Sequence, residues 1–529
     1  MSRLTSALAW TAVSVFLSSL VACGSSDSSN GGGGEGGSAV TGGSGANGGS
    51  GEFGGAGGGY GNGGTTNYGA AGGGAADGQG ANGGGVSAPQ ENDWVETAVE
   101  DTSTFGADVD TGSYTTMRQS ITAGQLPDPS GVRIEEYTNY FKYDYPNPDT
   151  DPFSVSFELA PSKFGEANQD MFRIGVHGKQ VPLSERKPAN LVFLVDVSGS
   201  MGAYNKLPLV QWSLRQLVSK LEPTDRLGIV VYAGHEAVVL NSTAVENKSE
   251  ILDAINSMQS SGSTNGEAGI QKAYELAESG FRSDGINRVV LCTDGDFNVG
   301  LTGNALISKI DEYRLRGVTL SVLGFGMGAN DATMEQLADH GNGNYALIDT
   351  QNEAARVLGE NLVSTLQVIA KDVKIQVEFN QDIVSRYRLV GYENRKLDNQ
   401  DFTDDTKDAG DLGAGHFVTS FYELERDLNL TEGRMATVRL RYKEPTADTS
   451  QELTFDFDLA AAANSFDEAS SDFRFAAGVV EFAEILRGSK HSQGQRFDDV
   501  LQIVSATQGD DNLRKEFYGL VVQGSQLSH

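Results

Sequence analysis

Leu191-Val192-Phe193-Leu194-Val195 runs without a polar interruption and then breaks into Asp196-Val197-Ser198-Gly199-Ser200-Met201. An unalternated apolar run of this length fits a central strand covered on both faces, as in a parallel sheet wrapped by helices. The polar cluster then lands at a strand's carboxyl end, the edge where open parallel sheets bind ligands because the loops diverge there into a crevice. Asp196, Ser198 and Ser200 alternate with other residues, so one carboxylate and two hydroxyls can turn toward a common point. Such oxygen donors suit a hard cation.

Outward from this run, residues 190–367 alternate apolar strands with amphipathic helices, the pattern of a parallel sheet with helical crossovers. Strands are predicted at 190–196, 226–232, 288–293, 319–325 and 345–348, and helices at 207–221, 248–257, 266–279, 305–316 and 332–340. Thr264 stands just before the helix that starts at Gly266, and Asp294 just after the strand that ends at Thr293, so both fall at equivalent strand ends. In this order, Asp-x-Ser-x-Ser, a later Thr and a later Asp resemble the metal-ion-dependent adhesion site of von Willebrand factor type A (VWA) domains.

That resemblance implies an α/β fold, a doubly wound and mostly parallel Rossmann-like sheet, and a divalent metal, Mg foremost with Mn or Ca as alternatives. It implies that the hydroxyls of Ser198 and Ser200 bind the metal directly, while Asp196, Thr264 and Asp294 contribute directly or through water. With few carboxylates on the ion, its charge is incompletely neutralised, and a sixth position attracts an acidic oxygen from a partner. Recognition rather than catalysis is the expected action, with a protein or extracellular matrix ligand offering a carboxylate, and the chain is not expected to be an enzyme. Two other readings are an assembly or chaperone-like factor in the maturation of a protein complex and a metal-assisted hydrolase. The hydrolase is disfavoured because no general base is visible beside the five ligands.

On the amino-terminal side, short helices are predicted at 111–124 and 132–141 and alternating strands at 153–159 and 171–177. After Lys371 the period becomes two, over 373–379, 416–422, 435–442 and 452–459. Strand-like segments on both sides of the α/β unit predict that it is inserted in, or flanked by, an antiparallel β-sandwich. From about Ser471 helical spacing returns at 473–486, 497–506 and 511–518, a small helical C-terminal segment. Phe105-Gly106-Ala107-Asp108-Val109-Asp110-Thr111 with Tyr114, then Val132-Arg133-Ile134-Glu135-Glu136 and Asn139-Tyr140-Phe141, resemble the amino-terminal region of bacterial VWA lipoproteins, and the tail after Lys371 resembles their carboxyl-terminal region.

Residues 1–22 carry one positive charge at Arg3 and an apolar run from Ala7 through Leu20, too short for a stable span, and read as a signal peptide. Leu20-Val21-Ala22-Cys23 resembles the lipobox of bacterial lipoproteins, which implies cleavage before Cys23, a diacylglycerol on its thiol and a lipid anchor in the membrane. Gly24 in place of Asp points, by the same resemblance, to the outer membrane. Residues 24–86 are Gly with Ser, Ala and Asn and lack an apolar period, so they predict a disordered tether with a root-mean-square reach of roughly 45 Å. The expected partition is a signal peptide over 1–22, lipidated Cys23 with its tether over 23–90, an N-terminal α+β region over 91–186, the VWA domain over 187–368, antiparallel β over 369–470 and helices over 471–529.

The 529-residue chain has a formal charge of -32 that sits almost wholly outside the glycine-rich tract, which disfavours nucleic acid and suits divalent cations. Cys23 and Cys292 are its two cysteines, so no internal disulfide framework is expected. The aspartates at 398, 401, 404, 405, 408 and 411, with Gly410, could form a calcium loop, but their spacing departs from the EF-hand and a solvated acidic loop is expected. Gly324-Phe325-Gly326-Met327-Gly328 has the wrong glycine spacing for a dinucleotide fingerprint and reads as a tight turn. Cys292 closes an apolar strand, where a buried inert thiol is the default. Glu135 and Glu136 are adjacent on a helix and point about 100° apart, which argues against a paired acid-base role.

Overall fold

The computed structural model describes residues 90–165, 168–263, 266–295, 303–326, 331–492 and 497–528. The run that opens the α/β unit forms the strand Ala189–Asp196, buried along its whole length. It lies between the parallel strands Arg226–Tyr232 and Ile286–Thr293, and Thr319–Phe325 and Tyr345–Ile348 continue the sheet in parallel. Successive side chains of a strand point to opposite faces. Here both faces are covered, which is why the run shows no alternation. Leu191, Phe193 and Val195 pack with the helices Leu207–Lys220 and Lys248–Ser257, and Val192 and Leu194 pack with Gly266–Ser279, Gly303–Leu315 and Asp331–His340.

A sixth strand, Glu236–Ala244, adds antiparallel to Arg226–Tyr232 at the sheet edge and has no counterpart among the predicted elements. Most of its residues are half-buried, so neither a clean period of two nor a continuous apolar run marks it.

The flanking strands pair across the α/β insertion. Phe153–Pro161 pairs with Gln169–Gly178, and Gln169–Gly178 pairs with Phe417–Arg426 from beyond the α/β unit. In the second sheet Val368–Phe379 lies between Thr102–Gly106 and Arg434–Lys443, with Ser450–Asp458 outermost. Phe105, Phe172, Ile375, Tyr422 and Val438 from the two sheets share one core, which makes the pair a sandwich. The strands Thr102–Gly106 and Val384–Val390 are findings of the structure. Arg386 and Arg388 interrupt the latter, and Arg388 is nevertheless buried against Glu423 and Glu484, so its polarity hides a strand that the fold encloses.

The helices Ser471–Arg487, Phe497–Thr507 and Asn512–Leu527 pack with Gly112–Thr122 and Ile134–Thr138 around Tyr114, Tyr137, Phe475 and Phe517. The last helix runs well past the predicted end at 518. Gly519 and Gly524 lower its intrinsic propensity, while burial of Leu520 and Val521 holds it. Among the described residues no helix is long and apolar enough to cross a membrane.

Candidate metal centre

Asp196 closes the central strand with its side chain wholly buried. Its Oδ1 accepts from the Ser198 backbone N–H at 2.8 Å, which turns the chain so that the Ser198 and Ser200 hydroxyls lie 3.0 Å apart. Ser198 is buried and Ser200 exposed, so the pair runs from the interior to the surface. On the neighbouring strand Cys292 stands opposite Val195, and Asp294 therefore emerges at the same rim, also buried. Burial pushes the Asp196 carboxyl up from its ordinary range and the charge of Asp294 pushes the same way, against the hydrogen bonds from Ser198.

The loop after Lys248–Ser257 is stitched to this turn. Ser261 N–H donates to the Val197 carbonyl at 2.7 Å, and Gly199 N–H to the Gly262 carbonyl at 3.0 Å. Gly262 has φ of +81°, a conformation in which a side chain would be strained. Thr264, two residues further, lies outside the described residues, as do Cys23 and the whole of 1–89. Four of the five sequence-predicted ligands, Asp196, Ser198, Ser200 and Asp294, thus stand at the carboxyl ends of two neighbouring strands.

Lys206 was not among the predicted residues. Its Nζ donates to Asp294 Oδ2 at 2.9 Å. It directly precedes Leu207–Lys220, where the helix dipole disfavours a cation, and that misplaced charge is the signal that could have found it. Gly326 makes room for the lysine stem: with φ of +92°, it would place a Cβ 2.6 Å from Lys206 Cε.

The fit to a divalent metal follows from the oxygens left over. Asp196 Oδ2 and Asp294 Oδ1 are buried and have no hydrogen-bond partner among the described residues. Of the two buried carboxylates only Asp294 pairs with a lysine, and with the two hydroxyls beside them this net negative, oxygen-only donor set suits a hard cation. Among the described residues no group of three or more His, Cys, Asp or Glu side chains is arranged to hold a metal.

The other acidic features are occupied elsewhere. Asp404 bonds Thr406, Asp405 bonds Arg441, Asp408 pairs with Arg314 and Asp411 accepts from the Asp372 N–H, so the acidic loop disperses its carboxylates. Glu135 accepts from the Tyr392 N–H at 2.9 Å and Glu136 from the Ser113 N–H at 2.7 Å, so both serve backbone groups. Cys292 is buried and its thiol pushed far up by that burial.

Three family models match the chain: a "von Willebrand factor" model over residues 85–171, "von Willebrand factor type A domain" over 190–360, and "Uncharacterized protein YfbK, C-terminal" over 364–527. The Escherichia coli (strain K12) protein YfbK is 38% identical over 461 residues, which span 82% of this chain and 79% of that protein. The chain belongs to the YfbK family. Inter-alpha-trypsin inhibitor heavy chain H4 of Bos taurus is 28% identical over 160 residues, 28% of this chain and 17% of that protein, so the likeness concerns a small part of the animal protein. The solved structure "von Willebrand factor type A from Catenulispora acidiphila" is 14% identical, covers 71% of this chain and 91% of its own, and superposes with a TM-score of 0.42, too loose to bear on function. A VWA domain gives this YfbK-family chain a general role in protein interaction, and VWA domains often bind a divalent metal.

Proposed function

We propose that this chain is a metal-dependent, adhesion-type binding protein that captures a carboxylate of a protein or matrix partner, with no catalytic turnover. One observation carries the reading: the buried oxygens Asp196 Oδ2 and Asp294 Oδ1, at one rim of the parallel sheet, lack partners among the described residues. Asp196, Ser198, Ser200 and Asp294, joined by Thr264, would hold the metal, with Mg foremost. When bound, the cation supplies a Lewis-acidic position for an acidic oxygen of the partner. The chain's own residues prepare that position. Ser198 N–H fixes the orientation of Asp196, the Ser261 and Gly199 backbone bonds hold the two loops together, and Lys206 neutralises part of the acidic charge.

We further propose that the chain is exported and anchored by lipid at Cys23 in the bacterial outer membrane, the glycine-rich tract serving as its tether. Titration calorimetry with Mg and Mn tests the site: saturable binding is expected in the native chain and its loss in Asp196→Ala. Absence of binding in the native chain, or unchanged affinity in the variant, refutes the assignment. For the anchor, a metabolically supplied palmitate analogue should label the native chain and not Cys23→Ser; equal labelling of both rules it out.

A further inference from the structure

Arg288 sits near the start of the strand Ile286–Thr293, at the opposite end of the sheet from Asp294. It is 1% exposed, and its Nη1 donates to Ser321 Oγ at 2.7 Å and to the Thr365 carbonyl at 2.6 Å. Both acceptors are neutral. Its Nε has no hydrogen-bond partner, and the guanidinium makes no ion pair, among the described residues.

Other buried arginines of the chain show the usual solution. Arg186 pairs with Asp225 at 2.5 Å, Arg388 with Glu423 at 2.8 Å and Arg118 with Asp349 at 2.6 Å. A buried charge is ordinarily matched because desolvation without an opposite charge is strongly unfavourable. For Arg288 burial pulls the guanidinium down to about 10, and the charge of Asp411, beyond ion-pair distance, only partly offsets it.

Arg288 lines a cleft of about 780 Å³ formed by the α/β unit and the start of Val368–Phe379. Five further basic side chains line the same cleft, against four carboxylates, although acidic residues outnumber basic ones by 71 to 39 in the whole chain. Arg282 and Arg314 are engaged with Asp284 and Asp408. Lys179, Lys187 and Lys371 make no ion pair among the described residues. The cleft has the size of an ordinary small-molecule site, about 300–1,000 Å³.

We propose that this cleft binds a small oxyanion, a phosphate or carboxylate group that completes the pairing of Arg288 with help from Lys187 and Lys371. A guanidinium pre-positioned by two hydrogen bonds suits such a group, because its planar fork matches the geometry of both anions. The proposal does not involve the metal-site residues, and it is tested in buffer stripped of divalent cations so that the two outcomes stay separate.

The full chain is titrated by calorimetry with inorganic phosphate and, separately, with succinate, each against sodium chloride at equal ionic strength. Saturable binding of one or both is expected, and the anion that binds names the source. The double variant K187Q/K371Q changes one exposed and one half-buried lysine outside the core and should weaken binding about tenfold. Arg288→Met should abolish it; circular dichroism checks its fold, and the lysine variant decides if that fold is lost. The proposal is overturned if neither anion gives saturable heat above the chloride control, or if K187Q/K371Q binds with native affinity.

Discussion

Two of the places where this molecule buries acidic side chains treat them differently. Where the α/β unit meets the sandwich, Arg395 reaches Asp108 at 3.3 Å, Glu335 at 3.3 Å and Asp339 at 2.8 Å, while Arg133 pairs with Glu335 and Glu136. Nearby, Arg118 holds Asp349 and Glu353, and the Tyr140 hydroxyl donates to Glu353 at 2.6 Å. At the rim of the sheet, Asp294 pairs with Lys206, Asp196 has no ion pair among the described residues, and each keeps one oxygen without a partner among them. Saturated carboxylates lock elements together, because every lone pair facing a donor removes the reason to bind anything else. Under-saturated ones at the open end of a sheet are poised for a cation.

This contrast can be broken by experiment. Removing the guanidinium at the seam should have the largest effect: Arg395→Ala takes the arginine partner from Asp108 and Asp339, leaves Glu335 its ion pair with Arg133, and is expected to cost about 3–5 kcal/mol in urea unfolding. A loss below about 1 kcal/mol would show that this seam is not held by its charges. At the rim the expectation reverses. Asp196→Ala should lower Mg affinity by more than about a hundredfold, the upper range for partners that merely support ligands. The same change should leave the metal-free melting temperature unchanged or higher, since an under-paired buried charge is removed.

Lys206→Gln sharpens the comparison, because it leaves the acidic pair at the rim with still less compensation. Metal affinity measured by calorimetry should rise about three- to tenfold, and the metal-free protein should melt lower. A weaker affinity would mean that the lysine builds the site instead of balancing it. The smallest effect concerns Glu135, whose carboxyl is pushed up to about 8 by burial and then by the charges of Glu393 and Asp108. A folded-state value above the ordinary 4.5 means that the folded chain holds the proton more tightly. That stabilisation is complete below pH 4.5 and is lost as pH rises through about 8. Glu135→Gln keeps an acceptor for the Tyr392 N–H, and its melting temperature should fall less than that of the native chain between pH 6 and 9, by about 2–4 °C. Parallel curves would place the proton elsewhere.

Legibility in the sequence followed burial on both faces. The unbroken run 191–195 announced a doubly covered strand, and the order of Asp196, Ser198, Ser200 and Asp294 announced a cluster of oxygens at its end. Glu236–Ala244 escaped because an edge strand meets solvent irregularly, and Val384–Val390 because Arg388 carries a charge into the core. Lys206 and Arg288 escaped for a related reason: a lone cation in a sequence reads as surface until the fold shows what it faces.

The amino acids alone settled which segments alternate with period two, which carry a helical repeat, and in what order the candidate donors follow one another, because these properties depend on near neighbours. Only the folded chain settled that Gln169–Gly178 finds Phe417–Arg426 across an intervening unit, that Asp294 comes to rest against Lys206, and that Arg288 meets neutral oxygens where its buried counterparts meet carboxylates. Those outcomes depend on which groups lose water together, and desolvation is set by packing between residues far apart in the chain.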